Sequence, residues 1–134
     1  PANERGLKIR SFVEGDEVVA EWIAEKHHEA FPNVLNGGII GALLDCHCNW
    51  TATYHLMKAA GEKEAPSTVT AEYSIKLKRP TPSASKLYLR ARLVELDGNK
   101  AIIEGELEAD GKICATCRGT FMSVDRGHPA YHRW

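Results

Sequence analysis

"NVLNGGIIGALLDCHCNW" (Asn33–Trp50) is the stretch on which the reading of this chain turns. A pair of glycines, Gly37 and Gly38, opens an apolar run, and a lone carboxylate, Asp45, interrupts it eight residues after the first of them. A glycine inside a helix costs about 1 kcal/mol relative to alanine, and an unpaired charge on an apolar face costs more. Even so, apolar residues recur at helical spacing from Gly38 to Ala60. Ile39, Leu43, Cys46, Trp50 and Leu56 or Met57 form the stripe, and Ile40, Leu44 and Ala52 widen it. Gly61 supplies a stop. So broad a stripe predicts one helix enclosed by other elements.

Outward from that helix, the sequence is β. Segments 7–13 and 17–26 read as strands joined by the turn Glu14-Gly15-Asp16, with Val18, Ala20, Trp22 and Ala24 on one face. Residues 27–36, holding Pro32 and two asparagines, read as a loop. After the helix, 67–78 alternates, with Val69, Ala71, Tyr73, Ile75 and Leu77 on one face and Thr70, Glu72 and Ser74 on the other. The breaker Arg79-Pro80-Thr81-Pro82 follows, then strands 86–96, 100–109 and 112–124, joined by the hairpin turns at Asp97–Lys100 and Asp110–Lys112. The tail, 125–134, has no usable periodicity. Two strands, one helix and a four-strand antiparallel meander predict a single α+β domain, a sheet wrapped around a central helix.

Composition narrows the function classes. At 134 residues and net charge -1, a general electrostatic attraction to nucleic acid or to anionic membrane is not favoured. No apolar run is long enough to span a bilayer, and the opening residues lack a secretory-signal pattern. The chain opens at Pro1 without a methionine, so an upstream segment is expected. Four cysteines read as free thiols in a reducing cytoplasm. Cys46 and Cys48, two apart on a helix, diverge by about 200° and cannot grip one metal ion; Cys114 and Cys117, three apart on a strand, are expected on opposite sides of the sheet. No metal is expected.

The order of elements, with Asn36-Gly37-Gly38 opening the helix, "ALLD" following and "KRPTP" breaking the chain after the next strand, resembles the hotdog-fold acyl-CoA thioesterases of the phenylacetate-degradation type. The resemblance covers about Leu7 to Val124 and implies a hotdog fold. In that family the helix opens with His-Gly-Gly, and an Asp or Glu lies eight residues past the first glycine. Here Asn36 stands in place of the histidine.

Each of these residues has a chemical use. At a helix start the N–H groups lack intrahelical acceptors and carry partial positive charge. Those of Gly37 and Gly38, aimed at a thioester carbonyl, would stabilise a developing oxyanion. Asp45 could activate water as a general base or attack the carbonyl carbon itself. Asn36 could cap Gly38 or Ile39, in competition with a substrate carbonyl, or offer its own amide N–H. Eight residues of helix separate Gly37 from Asp45 by about 12 Å, too far for both to touch one thioester group. The two must then come from different subunits, which the resemblance also implies, so a homodimer or a dimer of dimers is expected.

The resemblance further points to Thr70 as a hydroxyl that positions the attacking water, with a plain exposed threonine as the alternative. It places His28 near the site, with an ordinary surface histidine the simpler reading. Lys76, Lys78 and Arg79, with Arg90 and Arg92, could meet the phosphates of coenzyme A, or be solvated strand positions. Coenzyme A would enter as part of the substrate, and no separate cofactor is expected. Two other functions fit the same fold: a hydroxyacyl-thioester dehydratase, suggested by the His28 to Pro32 loop before an acid-bearing helix, and a non-catalytic acyl-thioester binding module.

Overall fold

The computed structural model describes residues 3–131. The expected central helix is α1 (Gly37–Ala60), and it ends where Gly61 turns left-handed, at φ 66°. Its strands are β1 (Phe12–Glu14), β2 (Glu17–Trp22), β3 (Glu29–Phe31), β4 (Val34–Leu35), β5 (Thr68–Leu77), β6 (Leu87–Asp97), β7 (Lys100–Ala109) and β8 (Lys112–Ser123). Six of them make one antiparallel sheet in the order β1-β2-β6-β7-β8-β5, while β3 and β4 form a separate small hairpin. This is the hotdog arrangement, a helix held against a curved sheet.

Local signals survive intact. The turn after β6 carries Gly98 at φ 59°, and the turn after β7 has Asp110 and Gly111 both at positive φ, as two-residue hairpins require. Other expectations need correction. Residues 7–11 are not strand, a 3-10 turn occupies Lys26–His28, and the loop contains the β3–β4 hairpin. The expected four-strand meander is a three-strand one, because β5 crosses to the far edge and pairs with β8 rather than β6.

Three bulges interrupt the large sheet, one of them in β6 at Val94, and the other two bear on the expected faces. One in β5 at Ala71 leaves Thr70 opposite Phe121 and Glu72 opposite Thr120. The other, in β8, sets Ile113 and Ala115 opposite consecutive β7 residues. An extra residue switches the side to which the rest of a strand points. Cys114 and Cys117 are therefore both buried rather than on opposite sides, and all four cysteines are free.

The core lies between α1 and the sheet, with Leu43, Leu44, Cys48, Ala52, Ile103 and Phe121 fully enclosed. The helical stripe differs from the expected one. Cys46 is exposed and Trp50 is 46% exposed, whereas His47 and Thr51 are fully buried. Both polar residues are satisfied inside: Thr51 Oγ1 donates to the His47 carbonyl at 2.9 Å. His47 Nε2 lies 2.9 Å from the Val18 carbonyl and Nδ1 lies 2.7 Å from Ser11 Oγ. A carbonyl only accepts, so Nε2 carries the hydrogen and Nδ1 accepts from Ser11. This neutral imidazole ties α1 to β2.

Helix and sheet are in close contact at Gly105, where an added Cβ would come within 2.6 Å of Cys48 Sγ. Gly105→Ala is expected to destabilise the fold by about 1–3 kcal/mol, as overpacking does. Trimming the sulfur in Gly105→Ala/Cys48→Ala should make the double variant less costly than the sum of the single ones in urea unfolding. Strict additivity would show that Cys48 has room to move.

Burial pushes the His47 pKa below its ordinary 6.5, against the opposing bond to Val18. Burial also lowers His28 and His55. The unfolded chain therefore binds protons first as pH falls, so this stabilisation is complete above 6.5 and is lost as pH drops through the lower folded values. Urea midpoints should fall below that pH, and fall less steeply in His47→Leu; an equal slope would locate the proton uptake elsewhere.

Candidate active site

The helix start is built by Asn36. Its backbone is extended (φ -64°, ψ 132°), and its Oδ1 accepts from the Gly38 N–H at 2.7 Å. Its own N–H donates to the His28 carbonyl at 2.9 Å, which fixes the entering chain. Of the two uses expected for Asn36, the structure has the cap. The glycines also serve packing: a Cβ on Gly37 would touch Leu77 Cδ1 at 3.3 Å, and one on Gly41 would touch Ile75 Cδ1 at 3.2 Å. β5 thus lies over the first turn of α1. A groove of about 380 Å³ opens here between Gly37, Leu35, Leu77, Lys78, Arg79 and Thr81.

Asp45 sits half-buried two turns further along, and its Oδ1 accepts from Thr70 Oγ1 at 2.8 Å. The bulge at Ala71 makes this possible. Simple alternation puts Thr70 on the side opposite Ile75 and Leu77, yet all three contact α1. A carboxylate held by one hydroxyl, with its second oxygen not enclosed, suits a group that must accept a proton.

A family model described as the thioesterase-like superfamily matches residues 16–130. The chain belongs to that superfamily. Among solved structures it is similar to a thioesterase superfamily protein from Shewanella loihica, at 26% identity over 92% of this chain and 97% of that one, with a TM-score of 0.73. It shares the fold of a putative thioesterase, a phenylacetic acid degradation-related protein, from Ralstonia eutropha (24% identity, 87% and 85% of the two chains, TM-score 0.72). The PaaI protein of E. coli has that fold too, at 15% identity over 89% and 81% of the two chains, with a TM-score of 0.74. No curated protein sequence matches significantly.

Within this thioesterase-like chain, the expected residues fall into two places. Gly37, Lys78 and Arg79 share the groove at the helix start, beside Asn36 and Gly38; Asp45 and Thr70 form a pair along the helix. His28 joins neither. It is buried, its Nδ1 accepts from the Glu25 N–H at 2.9 Å, and its ring lies 5.0 Å from that of Trp22. The surface position expected for it is incorrect, and its side chain serves the fold. Arg90 and Arg92 are engaged by carboxylates of the neighbouring strand, Glu106 at 3.1 Å and Glu104 at 2.8 Å. Among the described residues no cluster of His, Cys, Asp or Glu could hold a metal ion.

Sequence reasoning missed the continuation of the polar row. Asn49 and Thr53 follow Asp45 at successive helical turns and meet Thr68 of β5, with Thr68 Oγ1 2.7 Å from the Asn49 amide and 2.6 Å from Thr53 Oγ1. The signal was present as three polar residues four apart, Asp45, Asn49 and Thr53, along one side of the helix. Thr53 also lines an apolar cavity of about 710 Å³, with Phe12, Val13, Trp50, Tyr54 and Met57.

Asn36→Ala should cost about 0.5–2 kcal/mol, as lost N-caps do, and Asn36→Asp should preserve stability. Thermal and urea unfolding of the two variants check this; equal stability of Asn36→Ala and the parent would show that the cap bond adds nothing.

Proposed function

We propose that this protein hydrolyses acyl-CoA, or the equivalent acyl-carrier-protein thioester, to a free acid and a thiol, at a site shared across a homodimer. The hydrogen bond from Thr70 to Asp45 carries the reading, because it orients a half-buried carboxylate beside β5. Asp45 acts on the thioester carbon, directly or through water, while the N–H groups at Gly37 and Gly38 of the other subunit polarise the carbonyl. Substrate binding there exchanges the Gly38 contact with Asn36 for one with the substrate oxygen.

Helix rise, about 12 Å between Gly37 and Asp45, requires the second subunit. β5 supports it: among the described residues this edge strand is paired on one side alone, and its Tyr73 and Leu77 are 47% and 58% exposed, with Leu77 lining the helix-start groove. Antiparallel addition of a second β5 would bring the groove of one copy toward Asp45 of the other. Lys78 and Arg79 in the groove suit the phosphates of coenzyme A, and the apolar cavity beyond Thr53 offers room for the acyl group. Four free thiols suit a cytoplasmic setting, and the reaction uses no separate cofactor. A non-catalytic binding module is favoured by one observation, the Asn36 bond that occupies the Gly38 N–H. A dehydratase is less favoured, because His28 Nδ1 is taken up by the Glu25 N–H.

A panel of acyl-CoA thioesters with free-thiol detection tests the proposal. Wild type should turn over at least one member as a dimer in sedimentation, and Asp45→Asn should remain dimeric with its rate reduced by about 10²–10⁴. Near-normal turnover in that variant would remove Asp45 from the mechanism; binding without turnover across the panel would leave the binding module.

A further inference from the structure

We infer that the cavity between α1 and residues 9–13 takes an acyl chain ending in a carboxylate, and that Arg10 and Tyr54 bind that end. The inference rests on the hydrolase reading above and names the substrate class that reading leaves open.

Most of the cavity wall is apolar. Phe12, Val13, Trp50 and Met57 line it, and the first three are exposed, so a bound hydrocarbon chain covers surface that otherwise faces water. Its polar side chains fall into two groups. Ser11 and Thr53 are engaged: Ser11 Oγ lies 2.7 Å from His47 Nδ1, and Thr53 Oγ1 lies 3.0 Å from the Asn49 carbonyl and 2.6 Å from Thr68 Oγ1. Arg10 and Tyr54 are not. Neither the guanidinium nor the phenol hydroxyl has a hydrogen-bond or ion-pair partner among the described residues, and no Asp or Glu lines the cavity.

The unused groups decide the chemistry of the ligand. A guanidinium carries N–H donors and no acceptor, and the phenol adds one O–H. A plain alkyl chain satisfies neither, whereas a carboxylate accepts two parallel N–H bonds from the arginine and a third from the tyrosine. Lys58 adds to the positive field, with Nζ 5.9 Å from the centre of the Tyr54 ring. Arg10 is placed for this role by its neighbour, since the Ser11 bond to His47 ties the segment to α1. The phosphates of coenzyme A lie on the other arm of the thioester, toward Lys78 and Arg79 in the helix-start groove.

Helix rise sets the length of the chain. Thr53, at the cavity wall, stands eight residues beyond Asp45, about 12 Å along α1. Carbon–carbon bonds of about 1.5 Å in an extended zigzag advance about 1.25 Å per methylene, so about ten carbons carry the far end from the thioester into the cavity. The substrate class is the mono-thioester of a medium-length dicarboxylic acid.

Decanoyl-CoA and the mono-thioester of decanedioic acid with coenzyme A differ at the far end alone, and so test the inference. Calorimetric titration into Asp45→Asn should show the diacid thioester binding about tenfold more tightly. Arg10→Ala in that background should remove most of the preference while decanoyl-CoA binding stays within about twofold, and Tyr54→Phe should reduce the preference about threefold. Arg10 is exposed and the phenol oxygen bonds to nothing in the fold, so both variants should keep the parent's thermal unfolding. No preference in the parent, or one that survives Arg10→Ala, overturns the inference. Equal weakening of both thioesters by Arg10→Ala overturns it too, by placing Arg10 on coenzyme A. Failure of either thioester to bind does the same, as for a cavity covered by a second copy of the chain. Wild-type turnover is read separately. A diacid preference without hydrolysis of any thioester supports the cavity's ligand and removes the hydrolase reading; hydrolysis of decanoyl-CoA with no preference removes this inference alone.

Discussion

The absence of a side chain at Gly105 sets the distance between helix and sheet. Cys48 Sγ occupies the space that a β-carbon would need, so α1 settles directly onto β7. Everything functional hangs from that contact. Cys48 stands between Asp45 and Asn49 on the helix, so its seating fixes the height at which those two polar side chains meet β5. Core packing is dense enough that a displacement of one element is passed on to its neighbours.

Much of the fold was legible because its signals are local. Helix α1 starts within one residue of the expected position and stops at Gly61, since both ends are written in caps. The turns at Gly98 and at Asp110-Gly111 need left-handed backbone, which few residues supply. What was not legible depends on distant partners. No nearby residue states that β5 pairs with β8 rather than β6. A bulge gives no composition signal either, and one residue of slip moved Thr70 to the helix side and Cys114 into the core.

The helix shows the same limit in another form. Hydropathy placed Cys46 and Trp50 on the buried stripe and passed over His47 and Thr51. The burial of those two rests on partners supplied by Ser11, Val18 and the helix backbone, which satisfy their polar atoms. In the candidate site, Asp45 with its glycine pair was readable as chemistry, and Thr70 through family likeness. Asn49 was not, although it lies on the same face. A neutral amide carries no charge to draw attention, and its meaning comes from two threonines of which one, Thr68, is far along the chain.

The irregularity at Ala71 has a further consequence. A straight outer strand with a free row of peptide groups is a template on which copies can stack without end. Here that row is broken, so an incoming strand finds continuous pairing only along Glu72–Leu77, and the positive charges of Lys76 and Lys78 stand at its far end. The kink that delivers a hydroxyl to the carboxylate therefore also restricts how many neighbours, and in which alignment, the edge can accept.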